Sequence, residues 1–228
     1  MLAEDFRPNR VEAAKKVAAE FIEGRPNDRI SLVIFAGESF TQCPLTLDHA
    51  VVENLLSQVK TGMIEDGTAI GSGLATAVTR LKDSKAKSRV IILLTDGVNN
   101  RGSIDPLTAA NISHTFGVRV YTIGVGTQGV APYPVQTPFG TQYQNMPVEI
   151  DETLLQKIAD QTGGKYFRAT DNQKLRAIYE EIDRLEKTKI EVTQFHKHKE
   201  EFYSAAMSAG FFLLLEVFLS QTVFRRLP

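Results

Sequence analysis

VIILLTDGVNN, residues 90–100, places an unbroken apolar run directly ahead of a threonine, an aspartate and a glycine. Val90 to Leu94 show no polar alternation, as expected of a strand covered on both faces in a parallel sheet. Asp96 then falls just past the carboxyl end of that strand, where open parallel sheets gather their ligands. A carboxylate in such a solvent-poor concavity needs a cation or several N–H donors to stay charged. This one stretch therefore bears on both the fold and the site.

Working outward, strands and helices alternate. Upstream, Pro8 and Asn9 open an amphipathic helix with the stripe Val11, Ala14, Ala18, Phe21 and Ile22, ended by Gly24 and Pro26. ISLVIF (30–35) is a second continuous apolar run, and Asp48 can cap a helix carrying Val52, Leu55, Leu56 and Val59. The loop TGMIEDGT (61–68) leads into a helix with Ile70, Leu74, Ala77, Val78 and Leu81. Downstream come a helix over 106–116, a strand over 118–126, a helix over 151–162, the short strand GGKYFRA and a charged helix over 172–187.

The pattern predicts an α/β fold, a doubly wound and mostly parallel sheet with helices on both faces. Residues 127–149, rich in Pro, Gly and aromatics, interrupt it as an inserted hairpin or long loop. Doubly wound domains normally begin with a strand, yet none precedes the first helix. The domain, 1–188, is thus expected to lack its first strand.

Residues 189–201 are expected to be a linker, 202–224 a transmembrane helix and 225–228 a short tail. The span FYSAAMSAGFFLLLEVFLSQTVF carries one charge, Glu216, and matches the roughly 20 residues a bilayer requires. Glu216 is costly in lipid and shares a stripe with Ala205, Ala209 and Ser220, so it is expected to contact another helix.

Composition excludes several functions. The 228 residues carry a formal net charge of -1 without a basic block, so the field that gathers nucleic acid is missing. Cys43 is the single cysteine, which rules out an internal disulfide and a thiolate zinc site and suits a small buried hydrophobe. His196 and His198, the one close histidine pair, would splay apart on a helix. GVGTQG (124–129) fits a dinucleotide fingerprint, but a proline-rich stretch comes next where a helix N-terminus should receive the pyrophosphate. There is no phosphate-binding loop for ATP hydrolysis, and MLAEDFRPNRVEAAKK, without an apolar core behind its first charges, is not expected to act as a signal peptide.

Thr68, in EDGTAIGSGL, should reach the same sheet edge as Asp96. A hydroxyl and a carboxylate suit magnesium, although Thr68 could equally be a helix cap. Asn99 and Asn100, with Gly97, would shape the rim. LLTDG and GTAIGSGLATAV resemble two of the three segments of the metal-ion-dependent adhesion site of von Willebrand factor A domains. MLAEDFRPNRVEAAK resembles the stretch just downstream of the family's first segment, D-x-S-x-S, which is itself absent from this sequence. The resemblance covers about residues 1–188.

It implies a divalent cation (Mg2+, or Mn2+ or Ca2+) in a chain carrying that first segment, with Thr68 and Asp96 as ligands and Asp66 and Gly67 as neighbours. The cation would receive an acidic residue of a partner protein, and the activity would be binding rather than turnover. The blocks PNRVEAAKKVAAEFI, DRISLVIFAGESFTQCPLT and IDETLLQKIADQTGGKYFRA, with a terminal span, are similar to the BatA/BatB proteins of bacterial aerotolerance operons. That likeness implies membrane partners of the von Willebrand A or TPR type and a MoxR-type AAA+ ATPase. It also implies the bacterial inner membrane, and Arg225 and Arg226 favour a cytoplasmic carboxyl terminus with the domain in the periplasm.

Two other readings remain. One is a metal-free A domain that binds through its helices or the 127–149 insertion. The other is a phosphotransfer-type hydrolase using Asp96, which would want a second carboxylate where Val98 stands.

Overall fold

The computed structural model describes residues 1–138, 140–195, 206–213 and 215–216. They belong to two units, Met1–Lys187 and Thr188–Pro228. In the first, the elements run in order as α1 (Arg10–Glu23), β1 (Ile30–Phe35), β2 (Ser39–Thr46), α2 (His49–Ser57), α3 (Ile70–Leu81), β3 (Val90–Thr95), α4 (Pro106–Thr115), β4 (Arg119–Val125), β5 (Val130–Thr137), β6 (Gly140–Pro147), α5 (Glu152–Thr162) and β7 (Tyr166–Ala169). The last helix, α6 (Asn172–Phe195), continues into the second unit.

β3, β4 and β7 form a parallel sheet in that order. Strand alternation sends its side chains to two cores. Tyr121, Ile123 and Val125 of β4 meet Ala13 and Val17 of α1 and Leu175, Ile178 and Ile182 of α6, with Val90, Ile92 and Leu94 of β3 packed against them. On the opposite face Ile91 and Leu93 of β3 and Val120 of β4 meet Ile70, Leu74 and Val78 of α3, Ala109 and Ala110 of α4, and Leu155 and Ile158 of α5. The sheet thus has helices on both faces, as the alternation predicts.

The sheet is not continuous. β1 pairs with β2 alone, as an antiparallel ribbon, and no ladder joins β1 to β3 among the described residues. β1, expected to be covered on both faces, is half-buried along its whole length. It pairs along one edge only, with β2, so no second neighbouring strand adds to its cover among the described residues. Side chains span the break instead. Ile30 and Leu32 join Ile22 of α1 and Val52 and Leu56 of α2 around the fully buried Cys43, while Phe35 packs into the α3 core.

β2 was not expected from the sequence; Pro44 sits inside it, which an edge strand tolerates. The 127–149 insertion is the hairpin β5–β6. α6 extends past Lys187 into residues expected to be linker, because nothing between Lys187 and Phe195 breaks a helix. Residues 206–213 and 215–216 are helical, with Phe211, Phe212 and Leu213 exposed. Among the described residues no helix is long and apolar enough to cross a membrane. The rest of the predicted span, with Ala205 and Ser220, lies outside the described residues, as do the 225–228 tail and the pair His196 and His198.

Close backbone packing at Gly71 sets the position of α3. A Cβ there would lie 2.0 Å from the Ile104 carbonyl oxygen and 2.9 Å from the Asp105 carbonyl carbon, atoms that cannot swing aside. Gly71→Ala should cost about 1–3 kcal/mol and lower the melting temperature by roughly 2–12 °C. Gly24→Ala is the matched control, since its Cβ would find ordinary contacts at 3.6 Å and more. Equal melting of the two variants by circular dichroism would refute the close-packing account.

Candidate site at the carboxyl edge of the sheet

The parallel strand β3 delivers Asp96 to the sheet's carboxyl edge, with its side chain 19% exposed. The loop before α3 arrives beside it because its backbone is tied to the end of β1. Gly37 N–H donates to the Glu65 carbonyl at 2.8 Å, and Ala69 N–H donates to the Ala36 carbonyl at 2.7 Å. Thr68 then lies over Gly97, so near that a Cβ added to the glycine would sit 3.0 Å from Thr68 Oγ1. The structure therefore brings Thr68 and Asp96 to one edge, as their positions in the sequence suggest.

The two loops are clasped by asparagines. Asn100 Oδ1 accepts from Thr68 N–H at 2.8 Å, and Asn100 N–H donates back to the Thr68 carbonyl at 3.0 Å. Asn99 Oδ1 accepts from Ile70 N–H at 2.9 Å. Ala69 is the N-cap of α3 and has no capping side chain, so Asn99 takes over that task from a distant loop, and Thr68 is not the cap. Asn99 is half-buried and faces its own protein, whereas Asn100 is exposed at the rim. Asp66 is exposed and accepts from Gly67 N–H at 3.0 Å, without reaching Asp96 by any hydrogen bond in the structure.

Asp96 already faces positive charge. Arg10 Nη1 donates to its Oδ2 at 3.1 Å, and the Met1 ammonium donates to the same oxygen. Arg10 is 4% exposed and forks onto a second carboxylate, with Nε to Asp5 Oδ1 and Nη2 to Asp5 Oδ2, each at 2.7 Å. Thr127 N–H also donates to Asp5, at 2.8 Å. Burial alone would raise the Asp5 pKa, but the Arg10 and Thr127 hydrogen bonds and the Arg10 charge hold it below the usual carboxylate range. Burial would lower the Arg10 pKa, and the two carboxylates outweigh that and raise it.

Asp5 and Arg10 were not found by sequence reasoning. A signal existed, for Arg10 is the first residue of α1, where the helix dipole disfavours a cation. An arginine there asks for a nearby carboxylate, and Asp5 supplies it.

These residues do not by themselves fit a magnesium site. Magnesium wants near-octahedral oxygen coordination. Here Thr68 offers one hydroxyl, and the Asp96 carboxylate already accepts from the Arg10 guanidinium. Among the described residues no group of at least three His, Cys, Asp or Glu could hold a metal.

Residues 1–181 match the family model of the von Willebrand factor type A domain. The chain belongs to the von Willebrand factor type A family. The A domain is similar to the crystal structure of BatB from Bacteroides thetaiotaomicron, with a TM-score of 0.71 and 31% identity over 82% of this chain and 93% of that one. It is likewise similar to an aerotolerance-related membrane protein from Bacteroides fragilis, with a TM-score of 0.68 and 29% identity over 81% of this chain and 91% of that one.

A more distant likeness is to proximal thread matrix protein 1 of the mussel byssus, whose structure has a zinc-occupied MIDAS motif. The TM-score is 0.59 and the identity 25%, over 78% of this chain and 41% of that one. Among curated relatives, a Borreliella burgdorferi protein is 29% identical over 219 residues, 95% of this chain. The chain spans 63% of that relative and 58% of one from Nocardia farcinica, so it corresponds to about three-fifths of their length.

Proposed function

We propose that this A domain is a non-catalytic protein-binding module of a membrane-anchored bacterial envelope protein, working in aerotolerance or stress beside a MoxR-type ATPase. Its binding surface is the carboxyl edge of the sheet, around Gly97, Asn100 and Thr68. The observation that carries this reading is the clasp between the two loops, which holds Thr68 against the Asp96 loop as a preformed edge. Likeness to BatB and to a membrane protein related to aerotolerance supports the membrane setting; in this proposal the domain lies in the periplasm and residues 202–224 form an inner-membrane anchor. An acidic residue of the partner is the expected ligand. Thr68 and Asp96 would contribute to a divalent cation site there, Mg2+, Mn2+ or Ca2+, only when oxygen ligands from outside these residues join them.

A second reading, a metal-free scaffold, is favoured by one observation: the Asp96 carboxylate already accepts from the buried Arg10 guanidinium. The hydrolase reading finds less support, since the buried Arg10 guanidinium already donates to Asp96.

The deciding experiment captures partners from detergent-solubilised envelopes in magnesium and in EDTA, with the wild type, Thr68→Ala and Asp96→Asn. Capture that needs magnesium and fails in both variants supports the cation-dependent form. Capture unchanged by EDTA and by Thr68→Ala supports the scaffold. Release of phosphate from a small ester, abolished in Asp96→Asn, would overturn the non-catalytic reading.

A further inference from the structure

The hairpin β5–β6 has two very different edges. Pro132 on β5 turns its carbonyl away from β6, accepting from Glu4 N–H at 2.9 Å. In an antiparallel strand the N–H and C=O of a residue point to the same side, and alternate residues share that side. Pro132, Pro134 and Gln136 therefore face outward on β5. Two of the three have no N–H, and the edge is covered in part by the amino-terminal segment. Natural sheets guard their edges in this way.

On β6 that guard is confined to Pro147, at the end of the strand. Its residues Asn145, Tyr143 and Thr141 lie opposite Pro132, Pro134 and Gln136, so their N–H and C=O groups point away from β5. Every residue of β6 is exposed, with Tyr143 at 60%. No backbone hydrogen bond reaches those outward groups among the described residues. From Thr127 to Val148 there is no charged residue, in a chain of which 23% is charged. Charge is the commonest means of keeping a strand from adding to such an edge, and here it is missing.

We propose that the β6 edge is an interaction surface on which a second copy of this chain adds its own β6, antiparallel, about a twofold axis at Tyr143. The strand is complementary to itself in that register. Tyr143 meets Tyr143 of the other copy, and Thr141 meets Asn145 in two symmetric pairs. Each of these residues keeps its N–H, so about six backbone hydrogen bonds form. The Tyr143 hydroxyl donates to Glu4 Oε1 of its own chain at 3.4 Å, so the pairing rests on the backbone bonds, and no like charges oppose each other along the strand. Pairing of one short strand buries less than a standard interface, so the dimer is weak and appears as the concentration rises.

The test is sedimentation velocity of the full chain in detergent over a range of concentrations. Thr141→Lys with Asn145→Lys sets lysine against lysine in both symmetric pairs and should weaken the dimer roughly tenfold. Thr141→Lys with Asn145→Glu alters the same exposed positions but sets lysine against glutamate, and should restore association to near the wild-type level. That restoration also shows that the double variants fold. A wild type that stays monomeric at the highest concentration overturns the proposal. So does a dimer indifferent to the lysine pair, which would place the contact elsewhere in the chain, or a lysine–glutamate variant as weak as the lysine–lysine one.

Discussion

Arg10→Ala should lower the melting temperature of the domain by about 6–20 °C. Arg10 is 4% exposed and Asp5 3%, so truncating the arginine strands a buried carboxylate without its counter-charge. Breaking a buried pair from one side costs about 3–5 kcal/mol, and each kcal/mol moves the midpoint of a domain this size by about 2–4 °C. Most of the loss falls on Asp5. Asp96 is more exposed, at 19%, whereas Asp5 is left in a buried place with the Thr127 N–H. Arg10→Lys should recover a minor part, because an ammonium cannot reproduce a fork that serves both carboxylates. Thermal melts followed by circular dichroism decide the matter: a shift under about 2 °C for the alanine variant would mean that the cluster is structurally idle.

Glu186→Ala is expected to cost about 3 kcal/mol, or roughly 6–12 °C. Glu186 lies on α6, is 3% exposed, and accepts from Ser88 Oγ at 2.8 Å and from Arg119 Nη1 and Tyr121 Oη at 2.5 Å each. Removing it leaves a buried phenol without its acceptor and a quarter-exposed arginine without its partner. Burial alone would raise the Glu186 pKa, but the three donors and the Arg119 charge bring it below its ordinary value of 4.5.

A depressed carboxylate pKa gives stability that is complete above the unfolded-state value and is lost as pH falls through the folded-state value. Glu186 and Asp5, with ordinary values of 4.5 and 3.8, should thus weaken the wild type progressively below about pH 4.5. Glu186→Gln lacks its share of that loss. The stability gap between wild type and Glu186→Gln, measured by urea unfolding, should therefore narrow on acidification from pH 6 to pH 3. A gap that widens would contradict the sign.

Much of this arrangement is legible in the residues. ISLVIF and VIILLT form strands where their apolar runs lie, and Asp48 caps α2, whereas the short strand expected over GGKYFRA begins only at Tyr166, Gly163 being the left-handed cap of α5. Thr68 and Asp96 meet because the loop before α3 is tied to the end of β1 while Asp96 follows the end of β3. What stayed hidden depends on tertiary partners. β2 is disguised by Pro44 and by polar residues that only the pairing with β1 explains. The clasp by Asn99 and Asn100 joins residues some thirty positions apart. The Asp5–Arg10–Asp96 cluster links segments that no local period connects.

The break between β1 and β3 has a mechanical consequence. A continuous ladder transmits shear through hydrogen bonds that resist sliding, whereas the β1–β2 ribbon is coupled to β3, β4 and β7 by the interlocked side chains of α1 and α3. Side-chain contacts yield more gradually, so the ribbon is the part of the domain able to open while the parallel strands stay intact. Its amides should exchange with solvent through that sub-global opening, ahead of those of β4, which is held on both edges. The loop carrying Thr68 hangs from the end of β1 and the loop carrying Asp96 from the end of β3. Every excursion of the ribbon therefore strains the asparagine clasp, and a ligand bridging the two loops would tie together bodies that the backbone leaves separate.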